Sequence, residues 1–291
     1  MEFIAGYCTN AEMRERLYLL FDEVFGISAS LLRDFYARGF WDETYRPYTF
    51  FEDNRAIANV STFDLPLLAR ARNVSAAGIQ SVMTHPAYRR QGLMKSLMKT
   101  MLSDMDSRVD VSFLFTEQPQ LYEPFGFENL PETYFVTGYD HHGSSASGGI
   151  RRLDPFEHSI TELIRNSLQA RVPLSREFSP LRYVSSLFLN MYGEQMRGRL
   201  FFLDDLQALI VASVQHDTLA LFDVMSPEPV TLDAICRCIP IPFSKVALHF
   251  HPDQFPNFKW TPIPHQTNLH LMVRGRVNIP DCLKYPETAR F

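Results

Sequence analysis

Residues 82–102, VMTHPAYRRQGLMKSLMKTML, place a proline, two adjacent arginines and a glycine directly before a helical run of leucines and methionines. A strand ending at Pro86 and turning through Arg89, Arg90, Gln91 and Gly92 into a helix exposes backbone N–H groups at the positive end of the helix dipole, which is an anion site. Gly92 lets the backbone approach the anion, and the two arginines add charge in a form that suits phosphate. A diphosphate fits this arrangement better than a carboxylate. By spacing alone, an ordinary strand-to-helix turn with surface arginines reads equally well.

The surrounding pattern supplies elements to hold this turn. NAEMRERLYLLFDEVFG sets Met13, Leu17, Leu20, Phe21 and Val24 at helical spacing with Gly26 as a stop. YTFFEDNRAIANVSTFDLPLL reads as a hairpin about Asp53 and Asn54, AAGIQSVMTHP as a strand, and VDVSFLFTE (109–117) as a buried strand after the helix. Leu93, Met94, Leu97, Met98, Met101, Leu102 and Met105 form one apolar stripe on that helix. A last strand near ETYFVTGY precedes a glycine- and serine-rich stretch. Beyond it the order partly recurs: a helix around PFEHSITELIRNSL, strands GRLFFLD, ALIVASVQ and LALFDVMS, a helix TLDAICRCI and a strand KVALHFHP. The expectation is an α/β chain with mixed sheets and two tandem domains, the second degenerate. They divide as residues 1–140, a linker over 141–149, residues 150–275, and a tail of residues 276–291.

The formal charge of −5 disfavours a nucleic-acid partner held by phosphate contacts. No apolar run approaches the ~20 residues of a spanning helix, and the start MEFIAGYCTN carries an acid where a signal peptide has positive charge, so a cytoplasmic protein without membrane contact is expected. Cys8, Cys236, Cys238 and Cys282 form no C-x-x-C pair and read as free thiols. His249 and His251 fall on one strand face with Asp253 behind them, but without further ligands they read as polar strand-end residues, and no metal is expected. In the second half SPEPVTLDAICRC has no glycine, two prolines and Glu228, a turn that should repel phosphate.

Val82-Met83-Thr84-His85-Pro86 followed by Arg89-Arg90-Gln91-Gly92-Leu93-Met94 resembles the acyl-CoA-binding motif of the GNAT acetyltransferase superfamily. The resemblance implies that Val82, Met83 and Thr84 pair with the pantetheine arm, that Arg89, Arg90, Gln91, Gly92, Leu93, Met94 and Lys95 surround the pyrophosphate, and that Thr116 borders the cofactor. Met94 departs from the usual Gly or Ala. A bulky residue there is similar to the enhanced-intracellular-survival branch of aminoglycoside acetyltransferases, whose loop reads R-R-x-G-L before a large apolar residue. TEQPQLYEPFGFE (116–128) resembles the Y-x-x-F-G-F/Y segment after the fifth strand of that fold, which gives Tyr122 the role of general acid. In that branch the C-terminal carboxylate enters the catalytic cleft, and Phe291 occupies the matching position. The likeness covers residues 1 to about 140 well and the second half loosely, without the sterol-carrier-like third domain of those relatives.

The implied reaction transfers an acetyl group from acetyl-CoA to a small-molecule or peptide amine by direct attack in a ternary complex, because no cysteine or serine stands in an activated setting. It needs a deprotonated nitrogen, a donor for the oxyanion and an acid for the thiolate. Tyr122 could also simply pack on Phe125 and Phe127. Glu117, Glu123, Asp22 and Glu23 are alternative bases or amine attractors. Phe35, Tyr36, Phe40, Trp41, Tyr45 and Tyr48, with Asp42 and Glu43, would suit a bulky amine or pack as core. The alternative is a non-catalytic acyl-CoA sensor. The oligomeric state is left open, a homo-oligomer included.

Overall fold

The computed structural model describes residues 1–143 and 149–291; residues 144–148 of the expected linker lie outside the described residues. In chain order the first half runs β1 (Glu2–Ala5), α1 (Ala11–Phe25), α2 (Ala29–Ala37), β2 (Arg46–Glu52), β3 (Arg55–Asp64), β4 (Leu67–Ala69), β5 (Arg72–Val74), β6 (Ala76–Thr84), α3 (Leu93–Met105), β7 (Val111–Thr116), β8 (Glu128–Asn129) and β9 (Thr133–His141). The second runs β10 (Ile150–Arg152), α4 (His158–Ala170), β11 (Phe178–Pro180), α5 (Val184–Met191), α6 (Glu194–Arg197), β12 (Leu200–Leu203), β13 (Ala208–Gln215), β14 (Thr218–Met225), α7 (Leu232–Arg237), β15 (Phe243–Leu248), β16 (Thr261–Pro264) and β17 (His270–Gly275). The local signals for α1 act as expected: the Asn10 side chain accepts from the Met13 amide at the start, and Gly26 ends the helix at φ 67°.

Two seven-stranded sheets carry the fold, ordered β1-β2-β3-β6-β7-β17-β8 and β10-β12-β13-β14-β15-β9-β16, beside a small sheet β11-β4-β5. Their plans correspond. In each, a single parallel pair, β6 with β7 and β14 with β15, is joined through one helix, α3 or α7, and an antiparallel strand follows. The second half is therefore a shortened copy of the first.

The two halves exchange their closing strands, which moves the boundaries drawn from sequence. β9, expected to finish the first domain, pairs with β15 in the second sheet, and β17, expected in the second domain, pairs with β7 in the first. The reason is physical: the edges of β7 and β15 each need an antiparallel cover, and alternation of apolar residues fixes a strand without naming its partner.

The expected tail is also built in. Leu283, Lys284, Tyr285, Thr288 and Ala289 are at most 1% exposed. Glu132 Oε1 accepts from Lys284 Nζ at 2.7 Å and from the Tyr285 amide at 3.0 Å, and Oε2 accepts from Arg290 at 3.1 Å. Thr288 donates to Asp223 at 2.6 Å, and Asn190 donates to the Arg290 carbonyl at 2.8 Å. Glu287 faces His249 at 3.1 Å; burial opposes its charge, but that bond and the nearby Lys284 and Arg290 hold the carboxyl down to about 2. Burial pushes the Lys284 ammonium below its ordinary value, with Glu132 working against that. Because breaking a buried ion pair leaves a charge without compensation, Glu132→Gln should cost about 3–5 kcal/mol of stability in denaturant unfolding, and adding Lys284→Met should recover part of it.

Candidate active site

β6 and β7 pair only from Ala76–Val111 to Ile79–Leu114, after which they part. The parting begins where β6 changes course: Ser81 adopts φ 54° and the register with β3 slips between Asn59 and Ser61. A buried polar chain supports this bulge. Tyr7 meets Thr49 at 2.6 Å, Thr49 donates to Asn59 at 2.6 Å, and the Asn59 amide donates to Ser61 Oγ and to the Ser81 carbonyl, both at 2.8 Å. Tyr45 closes it by donating to Ser81 Oγ at 3.2 Å. Sequence reasoning missed Asn59 and Ser81. The buried asparagine inside the apolar run of β3 was the one available signal; the positive φ of a serine has none.

Past the parting lies the loop into α3. Arg90 (φ 63°) and Gly92 (φ 78°) both take left-handed backbone, and a Cβ built on Gly92 would meet no protein atom within 4 Å. Among the described residues the amides of residues 90–95 have no protein acceptor, the first α3-type bond outside the helix body being Ser96 N–H to Gly92 O at 3.0 Å. Arg89, Arg90, Gln91 and Lys95 are exposed; Arg89 Nε donates to the Thr84 carbonyl at 3.3 Å and Gln91 to the Ala87 carbonyl at 3.5 Å. The turn is thus an open cradle of donors rimmed by cations, the geometry that suits a diphosphate.

The other cofactor candidates divide. Val82 and Thr84 are half-buried on the free edge of β6, and Met94 leans on the core beneath α3. Met83 and Leu93 are 1% and 8% exposed, their side chains held in the core, so only their backbone groups are available. The Thr116 hydroxyl accepts from the Gln118 amide at 3.0 Å.

Tyr122 is packed into the aromatic corner expected of it. Its ring packs edge-on to Phe127 at 6.3 Å and is 7% exposed, while burial pushes its hydroxyl up to about 12, opposed by a hydrogen bond with Thr116 at the tip of β7. The phenol is therefore protonated at neutral pH. Phe291 packs edge-on to Phe63 at 4.8 Å and Phe115 at 5.4 Å and lines, with Gln80 and Ser81, a cavity of about 160 Å³ beside the parting strands.

The first two helices and α5 wall this cavity. Of the expected aromatic segment, Phe35, Trp41 and Tyr45 line it. Phe40 instead stacks on Phe188 at 3.8 Å, Tyr48 bonds to Asp104, and Tyr36 lies exposed with the Arg14 guanidinium 3.6 Å above its ring. Asp42 is the acidic side chain among the cavity's lining residues and already accepts from the Thr44 amide at 2.8 Å and the Thr44 hydroxyl at 2.6 Å. Glu43, Glu117, Glu123 and Asp22 are exposed, and Glu23 pairs with Arg55 at 2.9 Å and His85 at 3.2 Å. None of these carboxylates is among the cavity's lining residues.

Among the described residues the second copy has no equivalent cradle. α7 spans six residues and the Thr231 side chain caps it at the Ala234 amide. β14 leaves β15 after Leu221, but Asp223, next to the gap, is taken by the Tyr183 and Thr288 hydroxyls at 2.6 Å each. His249 faces Glu287 and His251 faces Asp253, each at 3.1 Å, and among the described residues no group of three or more His, Cys, Asp or Glu side chains gathers as metal ligands.

Known proteins share this fold. The sequence profile of the acetyltransferase (GNAT) domain matches residues 7–130. A search of curated protein sequences gives no match. Among solved structures, a conserved protein of Enterococcus faecalis V583 described as a probable N-acyltransferase is similar at TM-score 0.61 and 15% identity, over 94% of this chain and 72% of its own. Eis1 from Mycobacterium abscessus is similar at TM-score 0.59 and 13% identity, over 94% and 73%. A GCN5-related N-acetyltransferase from Anabaena variabilis gives 0.55 and 15%, over 94% and 72%. At these identities the likeness is one of fold, and it extends over both halves. No helix is long and apolar enough to cross a membrane among the described residues. The open loop at Gly92 and the parted strands fall within residues 7–130, the stretch that matches the acetyltransferase (GNAT) domain, and the second half behind it repeats the same strand plan.

Proposed function

We propose that the protein transfers an acetyl group from acetyl-CoA to an amine by direct attack within a ternary complex. The observation that carries this reading is the run of unpartnered amides from Arg90 to Lys95 at the N-terminus of α3, beside the gap between β6 and β7. The diphosphate of CoA rests on those amides with Arg89, Arg90 and Lys95 around it, and the pantetheine arm lies along the free edge of β6 at Val82, Met83 and Thr84.

That placement brings the thioester to the end of β7, between Tyr122 and the cavity. The amine lone pair forms the C–N bond at the thioester carbonyl, the C–S bond breaks, Tyr122 protonates the departing thiolate, and the nitrogen sheds its proton to solvent. Phe291, on the cavity wall, belongs to the acceptor side. The Glu132–Lys284 pair holds the strap that carries it.

The test is thermal shift with acetyl-CoA and CoA, followed by thiol release against a panel of primary amines. A shift with amine-dependent thiol release is the expected result. A shift without release on any amine supports the sensor reading instead, and no shift refutes both.

A further inference from the structure

We propose that the acceptor is a primary amine carried on a flat apolar body, an arylalkylamine, and not a polycation. This rests on the acyl-transfer reading above and concerns the second substrate only.

The size and lining of the cavity carry the argument. A cavity of roughly 150 Å³ with apolar walls takes a benzene ring, and this one measures about 160 Å³. Phe21, Leu32, Phe35, Trp41 and Leu189 give it an apolar wall. Trp41 meets Phe35 at 5.9 Å and Tyr45 at 5.1 Å, both edge-on, so ring edges and faces alternate around the space and suit a further aromatic ring.

Charge sets the other limit. Asp42 is the one acidic side chain among the lining residues, its Oδ1 already takes two bonds from Thr44, and the Arg182 guanidinium lies 4.0 Å from it. The lining side chains therefore offer little negative charge to a polycation. An aminosugar with several ammonium groups would bury most of them against Phe21, Phe35 and Leu189 without partners, which is strongly unfavourable. Gln80 and Ser81, at the bulge of β6, mark the polar end of the cavity, next to the gap assigned to the thioester. A bound arylalkylamine therefore has its ring among the helices and its nitrogen at the bulge.

Ser185 and Leu189 come from α5, so the second half supplies part of this wall. Ser185 has a small side chain, half-buried on the cavity wall, and a larger one there fills the cavity.

The experiment uses the full chain with acetyl-CoA and three probes: 2-phenylethylamine, ethylamine and kanamycin. The expected kcat/KM for 2-phenylethylamine exceeds that for each of the other two by roughly 10- to 100-fold, the discrimination that burial of one aromatic side chain provides. Ser185→Trp should raise KM for 2-phenylethylamine more than about 10-fold, while the thermal shift with CoA shows that the variant is folded and its donor site intact. Turnover of kanamycin equal to or above that of 2-phenylethylamine, or an unchanged KM in Ser185→Trp, overturns the proposal and leaves the transferase reading standing. If no amine releases thiol, the transferase reading fails separately. Calorimetric binding of 2-phenylethylamine that Ser185→Trp abolishes then still supports the cavity's ligand class, and absence of binding refutes it.

Discussion

Gly92→Glu abolishes the stabilisation that CoA gives the wild-type chain. The position has φ 78°, and a Cβ there touches nothing of the protein within 4 Å, so the new side chain has room inside the apo fold. Left-handed backbone costs an L-residue about 1–2 kcal/mol, which the fold tolerates. The effect on the ligand is different in kind. The carboxylate projects into the space above the free amides of residues 90–95, where we propose the diphosphate binds, and it replaces an attraction by a repulsion in the same cradle. At CoA equal to 100 times the wild-type Kd the ligand contributes about 2.7 kcal/mol, and a hundredfold weaker site leaves about 0.4 kcal/mol. Scanning fluorimetry resolves that difference. Gly92→Ala isolates the backbone cost, since it adds a methyl group and no charge, and should keep most of the shift. A normal CoA shift in Gly92→Glu would mean that the diphosphate does not rest on this loop.

How far the sequence could be read follows from which interactions are local. The loop from Pro86 to Gly92, the apolar stripe of α3 and the caps of α1 depend on neighbours a few positions away, and their residue types state them. The exchange of β9 and β17 depends on which edge is left open after folding. ETYFVTGY and HLMVRG alternate correctly as strands, and nothing in that alternation distinguishes one sheet from the other. The strap is a similar case: Lys284 and Glu132 are 152 positions apart, and each alone reads as a solvated charge, yet they meet at 2.7 Å with the lysine fully buried. In the aromatic segment, composition announces a wall of rings but not which rings face the cavity. Phe35, Trp41 and Tyr45 do, while Phe40 turns to Phe188 in the other half.

The hydroxyl of Tyr122 carries the second large effect. Tyr122→Phe should lower kcat by roughly 10²–10⁴, the usual contribution of a positioned general acid, while the CoA shift persists. Two observations make the substitution clean. The ring is held by Phe127 and the core under α3, which phenylalanine preserves, and the lost hydrogen bond is the one with Thr116, worth about 1 kcal/mol of stability. The donor role also sets a pH expectation. Because burial pushes the phenol up to about 12, the tyrosine keeps its proton through the neutral and mildly alkaline range, so wild-type kcat should not fall with rising pH on its account below about pH 10. The amine, by contrast, must be neutral to attack, and turnover should rise with pH through the pKa of the bound ammonium. A Tyr122→Phe chain with kcat within about threefold of wild type would reduce this residue to an aromatic corner post, and the thiolate would then need its proton from water admitted along the parted strands.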